Sequence, residues 1–250
     1  PNIKQLMRLL LDIGNTRTHA ALADKRIDQN KQFLTDDWAA NRMGVHMKRF
    51  LGQAKVTQAV ICSVVPTATR AARAWLRSTG IKAATFNHKT CVLGIDYPKP
   101  STIGPDRLAN GLAAQTEFSS PAVVVDFGTA VTFDIINHKG NYVGGIIAPG
   151  LSAMTDYLHE KTALLPRIKL RNPRTAIGKN TEEAMLIGTV HGYRGLVKTL
   201  IERIRRQLRA HHLPVVATGG HANLLAKGIP QITAVRPLLT LEGLRIASDP

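Results

Sequence analysis

The sequence predicts an α/β fold built twice, as two similar halves with a cleft between them. Three observations carry that prediction. Two strings, LLLDIGNT ending at Thr16 and VVVDFGTA ending at Ala130, follow one plan and stand 114 residues apart. Each is an apolar run that delivers an Asp, followed by a Gly turn and small hydroxyl or amide residues. Starting with each of them the pattern strand, strand, strand, helix, strand can be read.

Leu9, Leu10 and Leu11 are apolar enough for a buried strand, so Asp12 emerges at its carboxyl end, where open α/β sheets place their ligand crevice. Val123, Val124 and Val125 do the same for Asp126. Gly14 and Gly128 let the backbone turn tightly, while Asn15, Thr16 and Thr129 offer donors suited to phosphate oxygens. An acid beside a phosphate cradle implies a cation between them. The two loops therefore read as gripping one polyphosphate from both sides.

The elements follow in order. After LLLDIGNT, the runs HAALA and KQFL read as two more strands, and TDDWAANRMGVHMKRFLG reads as one helix with Thr35 as its N-cap and acids in its first turn. TQAVICSVV is a buried strand, Pro66 opens a helix through Trp75, and KAATF closes the first half. Pro98, Pro100 and Pro105 interrupt regular structure before a helix that begins near Asp106. A boundary near Ser119 or Ser120 precedes the second half. There VVVDF, AVTFDII and YVGGIIAP are strands, helices follow, and PVVAT is a further strand. The helix YRGLVKTLIERIRRQLRAHH sets Leu196, Leu200, Ile204 and Leu208 in an apolar stripe and ends on His211 and His212.

At 250 residues and 44% hydrophobic, the chain can bury roughly three quarters of its unfolded surface. Cys62 and Cys91 have neither metal-ligand nor redox spacing, which fits a reducing cytoplasm. No apolar stretch approaches the roughly 20 residues that span a bilayer, so no membrane partner is expected. The opening PNIKQLM lacks the apolar core of a secretion signal, and Met7 is an alternative start. The net charge of +16 invites a nucleic-acid reading. It divides evenly, with 17 Lys and Arg against 8 acids up to Ser120 and 16 against 9 after it. Arg203, Arg205, Arg206 and Arg209 read as a solvated face. With 5% aromatics nothing signals base stacking, and no nucleic-acid partner is expected.

The P-loop string G-x-x-x-x-G-K-[ST] is absent, which excludes that class of ATPase, and so is G-x-G-x-x-G. GGIIAPG, Gly144 to Gly150, is either a strand-to-helix turn or part of the cleft lining. In TGGHANLLA, Gly219 and Gly220 stand between a strand and a helix, where backbone amides suit phosphate. IGPDRLAN starts a helix with Asp106 and Arg107 after a Gly-Pro turn. The acid there either compensates the helix dipole or accepts a hydroxyl proton beside a cation that holds an anionic acceptor.

DIGNT, GPDR, DFGTAVTFD, GGIIAPG, TALLP, IGKNT, TGG and LTLEGL occur in one order over nearly the whole chain. In that order and spacing the chain resembles the type III pantothenate kinases, of the superfamily that holds acetate and sugar kinases, heat-shock chaperones and actin. The resemblance implies a duplicated ribonuclease H-like (actin-like ATPase) fold, with residues 1–120 as the N-terminal half and 121–250 as the C-terminal half. It implies transfer of the ATP γ-phosphoryl group to pantothenate, giving 4'-phosphopantothenate, the first step of coenzyme A biosynthesis. Asp12, Ile13, Gly14, Asn15, Thr16, Arg17, Thr18, His19 and Thr129 would then bind ATP, with Asp12 on Mg²⁺ through water. Asp126 would hold a monovalent cation, K⁺ or ammonium. Asp106 would be the general base, Arg107 would meet the pantothenate carboxylate, and Tyr97, Gly104 and Pro105 would line the pocket. Thr181 would reach pantothenate across a homodimer interface, and it also reads as the N-cap of the helix carrying Glu182 and Glu183. His19 stands where the family commonly has Lys; either Arg17 compensates, or ATP binding is weaker and pH-dependent, or His19 is a plain strand residue. The rival readings are a kinase for another small hydroxy acid and a regulatory or nucleic-acid-binding protein that retains the fold. Against the latter stands the full set of Asp12, Asp106, Arg107 and Asp126.

Overall fold

The computed structural model describes residues 6–248. The opening segment considered above as a signal lies, up to Gln5, outside them. The chain forms two compact units: one runs through Thr116 and takes back the segment from Leu239, and the other is Glu117–Leu238.

In the first unit β1 (Leu6–Ile13), β2 (Arg17–Ala23) and β3 (Ile27–Leu34) form an antiparallel meander. Helices α1 (Asp36–Ala39) and α2 (Met43–Leu51) carry the chain over to β4 (Lys55–Ser63), which pairs parallel with β1 and needs such a crossover. Then come α3 (Pro66–Ser78), β5 (Lys82–Thr85) and α4 (Pro105–Glu117), and the sheet order is β3-β2-β1-β4-β5. Side chains alternate along a strand, so Leu9, Leu11 and Ile13 enter a core with Ala59 and Ile61 of β4 and with Met43, Met47, Ala72 and Leu76 of the helices. The same alternation turns Asp12 and Cys62 to the other face.

The second unit repeats the plan. β6 (Ala122–Phe127), β7 (Ala130–Ile136) and β8 (Tyr142–Pro149) form the meander, followed by α5 (Leu151–Lys161) and α6 (Thr181–Leu208). β9 (Val215–Thr218) joins parallel to β6, and α7 (Ala222–Ala226) leads to the short β10 (Ala234–Val235). Read from β8, the order is β8-β7-β6-β9-β10, the arrangement of the first sheet. Val123, Val125 and Phe127 pack with Val190, Tyr193, Val197, Ile201 and Ile204 of α6, which turns Asp126 to the opposite face.

Four local expectations need correction. The single helix from Thr35 to Gly52 is two helices, broken where Asn41 takes a φ of 58°. Thr35 makes no capping bond; its hydroxyl serves the β1 turn instead, as described below. The basic helix begins twelve residues before Tyr193, at Thr181, and ends at Leu208 on a left-handed Arg209, so His211 and His212 lie beyond it. Its buried stripe is Tyr193, Val197, Ile201 and Ile204, whereas Leu196 is 38% exposed.

The division at residue 120 also differs from the structure, because the last helix, α8 (Leu239–Ala247), packs on β1, β2 and β3. Gly243 is where α8 meets α4: a Cβ there would stand 2.0 Å from the Ala109 carbonyl oxygen, a backbone atom that cannot swing aside. Three residues earlier, Thr240 Oγ1 bonds Asn110 Oδ1 at 2.8 Å. Gly243→Ala is therefore expected to destabilise the protein by about 1–3 kcal/mol or more through overpacking, despite the helix propensity of Ala. Gly195→Ala at an exposed position of α6, where nothing lies within 4 Å, is expected to raise Tm slightly. Scanning calorimetry of the pair separates close approach from propensity.

Candidate active site

The β1 strand ends in a tight turn, in which the Gly14 amide donates to the Arg17 carbonyl at 2.9 Å. A relay of buried donors fixes this turn from below. Trp38 Nε1 donates to Thr18 Oγ1 at 3.2 Å, Thr18 meets Thr35 Oγ1 at 3.2 Å, and the Thr35 hydroxyl donates to the Gly14 carbonyl at 2.7 Å. The Thr35 amide donates to the Thr16 carbonyl. Asn15, Thr16 and Arg17 are left exposed at the crest. Ile13 and Thr18 are both 0% exposed, so of the expected ATP-binding set these two place side chains in the core and support the loop from beneath.

Register lays out the next feature. Asp12 stands opposite His19 on β2 and beside Cys62 on β4, so the three side chains form a row on one face of the sheet. Cys62 is fully buried, and its thiol is pushed well up, first by burial, then by the charges of Asp12 and Asp106 and by the hydrogen bond it donates to Asp12. It therefore stays protonated and acts as a donor to the Asp12 carboxylate. The charge of Asp106 weighs on the same thiol, which puts the Asp106 carboxylate as well as that of Asp12 in the neighbourhood of Cys62. The residues gave no motif for Cys62; its position became visible only through the parallel pairing of β4 with β1.

His19 is held below the ordinary histidine range, first by burial and then by the charge of Arg17. It is thus neutral at pH 7, and the fixed positive charge near the turn belongs to Arg17. The expected result is an ATP KM that is flat from pH 6.5 to 8 and changes by less than about threefold in His19→Gln. A KM that drops on acidification in the native protein alone would give His19 a charged role. Steady-state kinetics over that range decides it.

Asp106 is the second residue of α4, after Pro105 at the position where a missing N–H does no harm. Its Oδ1 accepts from the Arg107 amide at 3.0 Å. Burial raises the carboxyl above the ordinary aspartate range, and the Arg107 amide and guanidinium only partly offset this. A Cβ at Gly104 would lie 2.5 Å from Asp106 Oδ1, so a side chain there would have to turn the carboxylate away from its place. The Gly104 carbonyl accepts from the Arg107 and Leu108 amides, which closes the first turn of α4. Tyr97, 38% exposed, precedes this segment.

In the second unit Asp126 is flanked in register by Thr132 and Thr218, the counterparts of His19 and Cys62 around Asp12. Two glycines from other loops close on this segment, Gly219 on Asp126 and Phe127 and Gly150 on Gly128 and Thr129. A Cβ at Gly219 (φ 88°) would be 2.4 Å from Asp126 Oδ1 and 2.6 Å from the Phe127 carbonyl carbon. One at Gly150 would be 2.1 Å from the Thr129 carbonyl oxygen, to which the Gly150 amide donates at 3.1 Å. DFGTA, APG and TGG, read separately along the sequence, are thus one assembly, with exposed Thr129 at its edge. Thr181 is exposed and is the first residue of α6, not its cap. Asn180 caps the helix, its side chain accepting from the Glu183 amide at 2.9 Å.

Two sheets of one topology, each with a carboxylate at the end of its central strand and a glycine turn behind it, define an actin-like ATPase fold. Solved structures agree: the ethanolamine utilization protein EutJ of Carboxydothermus hydrogenoformans superposes with a TM-score of 0.57 at 16% identity, over 97% of this chain and 90% of that one. MreB 5 of Spiroplasma citri, bound to AMPPNP, gives 0.51 at 10% identity, over 99% and 97%. Within that class the family model for type III pantothenate kinase matches residues 8–203. The type III pantothenate kinase of Akkermansia muciniphila is 43% identical over 242 residues, 96% of this chain and 97% of that protein. The chain belongs to the type III pantothenate kinase family.

Proposed function

We propose that this protein transfers the γ-phosphoryl group of ATP to the primary hydroxyl of pantothenate, forming 4'-phosphopantothenate. The observation that carries the assignment of roles is that the Asp106 and Asp12 charges both act on the Cys62 thiol beside an anion-type turn, burial raising the Asp106 carboxyl above the ordinary aspartate range. Phosphoryl transfer passes through a loose transition state, so positioning and charge neutralisation provide most of the catalysis. In this reading Asp106 accepts the hydroxyl proton as the oxygen attacks, and the adjacent Arg107 guanidinium holds the pantothenate carboxylate. Tyr97, Gly104 and Pro105 shape that end of the pocket. The amides and side chains of Gly14, Asn15, Thr16 and Arg17 hold phosphate oxygens, and Thr129 holds them from the second loop.

The donor chemistry fits two cations. Asp12 offers hard carboxylate oxygens to Mg²⁺, whose remaining positions would be filled by water and phosphate. Asp126 stands in register between Thr132 and Thr218, so its carboxylate has hydroxyl-bearing neighbours, a hard-oxygen donor set that suits K⁺ or ammonium. When bound, these ions neutralise charge on the transferring phosphate. The same reading has a homodimer in the cytoplasm, with Thr181 reaching the substrate of the partner subunit.

The test is an acceptor-dependent ADP-release assay on purified protein, with pantothenate compared against other small hydroxy acids, and K⁺ and ammonium against Na⁺. Pantothenate-dependent turnover stimulated by K⁺ or ammonium is expected. Preference for another hydroxy acid would overturn the acceptor, and turnover indifferent to the monovalent ion would remove that role from Asp126.

A further inference from the structure

Within the first unit the positive charge is gathered in one stretch of sequence. From Trp38 to Ile95 the sequence holds nine Lys and Arg and no Asp or Glu, so more than half of the net +16 arises there. Three of these cations border one depression. Arg73 and Arg77, one turn apart on α3, and Lys82 at the start of β5 line a surface depression of about 400 Å³ with Gly80, Ile81 and Ala83. Arg73 is held by Thr85 Oγ1, while Arg77 and Lys82 have no ion pair or side-chain hydrogen bond among the described residues.

Routine structural duties do not account for this cluster. The end of α3 is closed without the Arg77 side chain: the Thr79 amide donates to Trp75, Gly80 to Arg77 and Ile81 to Leu76, at 3.0–3.2 Å, and the Ser78 and Thr79 hydroxyls donate to the Trp75 and Leu76 carbonyls. Arg77 is thus not needed as a cap. Gly80, at φ 74° with nothing within 4 Å of a would-be Cβ, folds the chain back beside the depression. The location is also distinct from the nucleotide turn. Lys82 pairs with Gln58, and Gln58 with Arg8, whereas Asp12 pairs with Cys62 four residues further along the parallel strands. The depression therefore lies toward the opposite end of the sheet, roughly 13 Å along the strand direction.

We propose that this depression binds a compact phosphorylated ligand carrying at least two phosphoryl groups. Two guanidinium forks and an ammonium around one concavity match the charge and the bidentate geometry of a diphosphate. The concavity has the volume of a small-ligand site. Its lining has no aromatic side chain on which a base could stack, which argues against a nucleic-acid strand.

The experiment is calorimetric titration of the full chain with pyrophosphate at about 50 mM salt, with Mg²⁺ in excess and a non-hydrolysable ATP analogue saturating the nucleotide turn. Inorganic phosphate and a short single-stranded RNA are titrated in parallel. One equivalent of pyrophosphate is expected to bind more tightly than phosphate, and Arg77→Glu with Lys82→Glu is expected to weaken it by about tenfold or more. ADP release with pantothenate should be unchanged in the double variant, which also shows that it is folded and keeps this test separate from that of the kinase reading. Absent pyrophosphate binding, equal binding by native and variant proteins, or variant-sensitive binding of RNA alone would each overturn the proposal.

Discussion

Replacing Asp106 by Asn is expected to lower kcat by about 10²–10⁴-fold, the usual contribution of a positioned base, while leaving the protein at least as stable at neutral pH. Both halves of that statement follow from burial. The folded-state pKa of Asp106 is raised, so between the unfolded value near 3.8 and the raised folded value the native state binds more protons than the unfolded one. The contribution of this group to stability is therefore fully present below the unfolded pKa and is lost as pH rises through the folded one. Above that window the native protein carries the whole penalty of a buried carboxylate, and Asn removes it. The Tm of Asp106→Asn should exceed that of the native enzyme at pH 7, and the gap should close on acidification below the ordinary aspartate range. Native kcat/KM should fall on the acid side with an apparent pKa above that range, because the base works only when ionised, and the residual activity of the variant should lack that limb. A variant that is both inactive and less stable at pH 7 would make Asp106 a helix-capping residue.

The sequence made the strands legible because apolar runs such as Val123–Val125 have one good solution, burial in a sheet, and because an Asp at the end of such a run has little place except at the strand terminus. The duplication was legible for the same reason. What stayed hidden depends on pairing or close approach. Cys62 joins Asp12 only when β4 takes its parallel register. The need for Gly at 243 arises from α8 crossing α4, a contact between segments more than 130 residues apart, which no local pattern encodes. The same non-local return made a cut at residue 120 misplace α8. Helix ends fell to side-chain competition: Asn180 outbids Thr181 as cap since its amide oxygen reaches the Glu183 amide. Thr35 gives its hydroxyl to Gly14, so a residue that looked like a helix start became a brace for the phosphate-type turn.

The second large effect is expected at Gly219. Gly219→Ala has two independent consequences. An L-residue at φ 88° is strained by roughly 1–2 kcal/mol, and the added Cβ meets Asp126 Oδ1 at 2.4 Å and the Phe127 amide nitrogen at 2.7 Å. The Phe127 contact is with backbone, so the Asp126 carboxylate or the whole TGG turn must shift. If Asp126 holds the monovalent cation, the K⁺ concentration for half-maximal activity should rise by roughly tenfold or more, since each 1.4 kcal/mol transferred to the cation site is a factor of ten. Gly220→Ala is the matched control, because nothing lies within 4 Å of a Cβ there. It should keep native K⁺ dependence and kcat. A K⁺ titration of both variants separates the possibilities: equal behaviour would mean that the turn tolerates a side chain and that Asp126 is not held in place by Gly219. Loss of activity in Gly219→Ala with unchanged K⁺ dependence would assign Gly219 to phosphate binding and leave the cation to other oxygens.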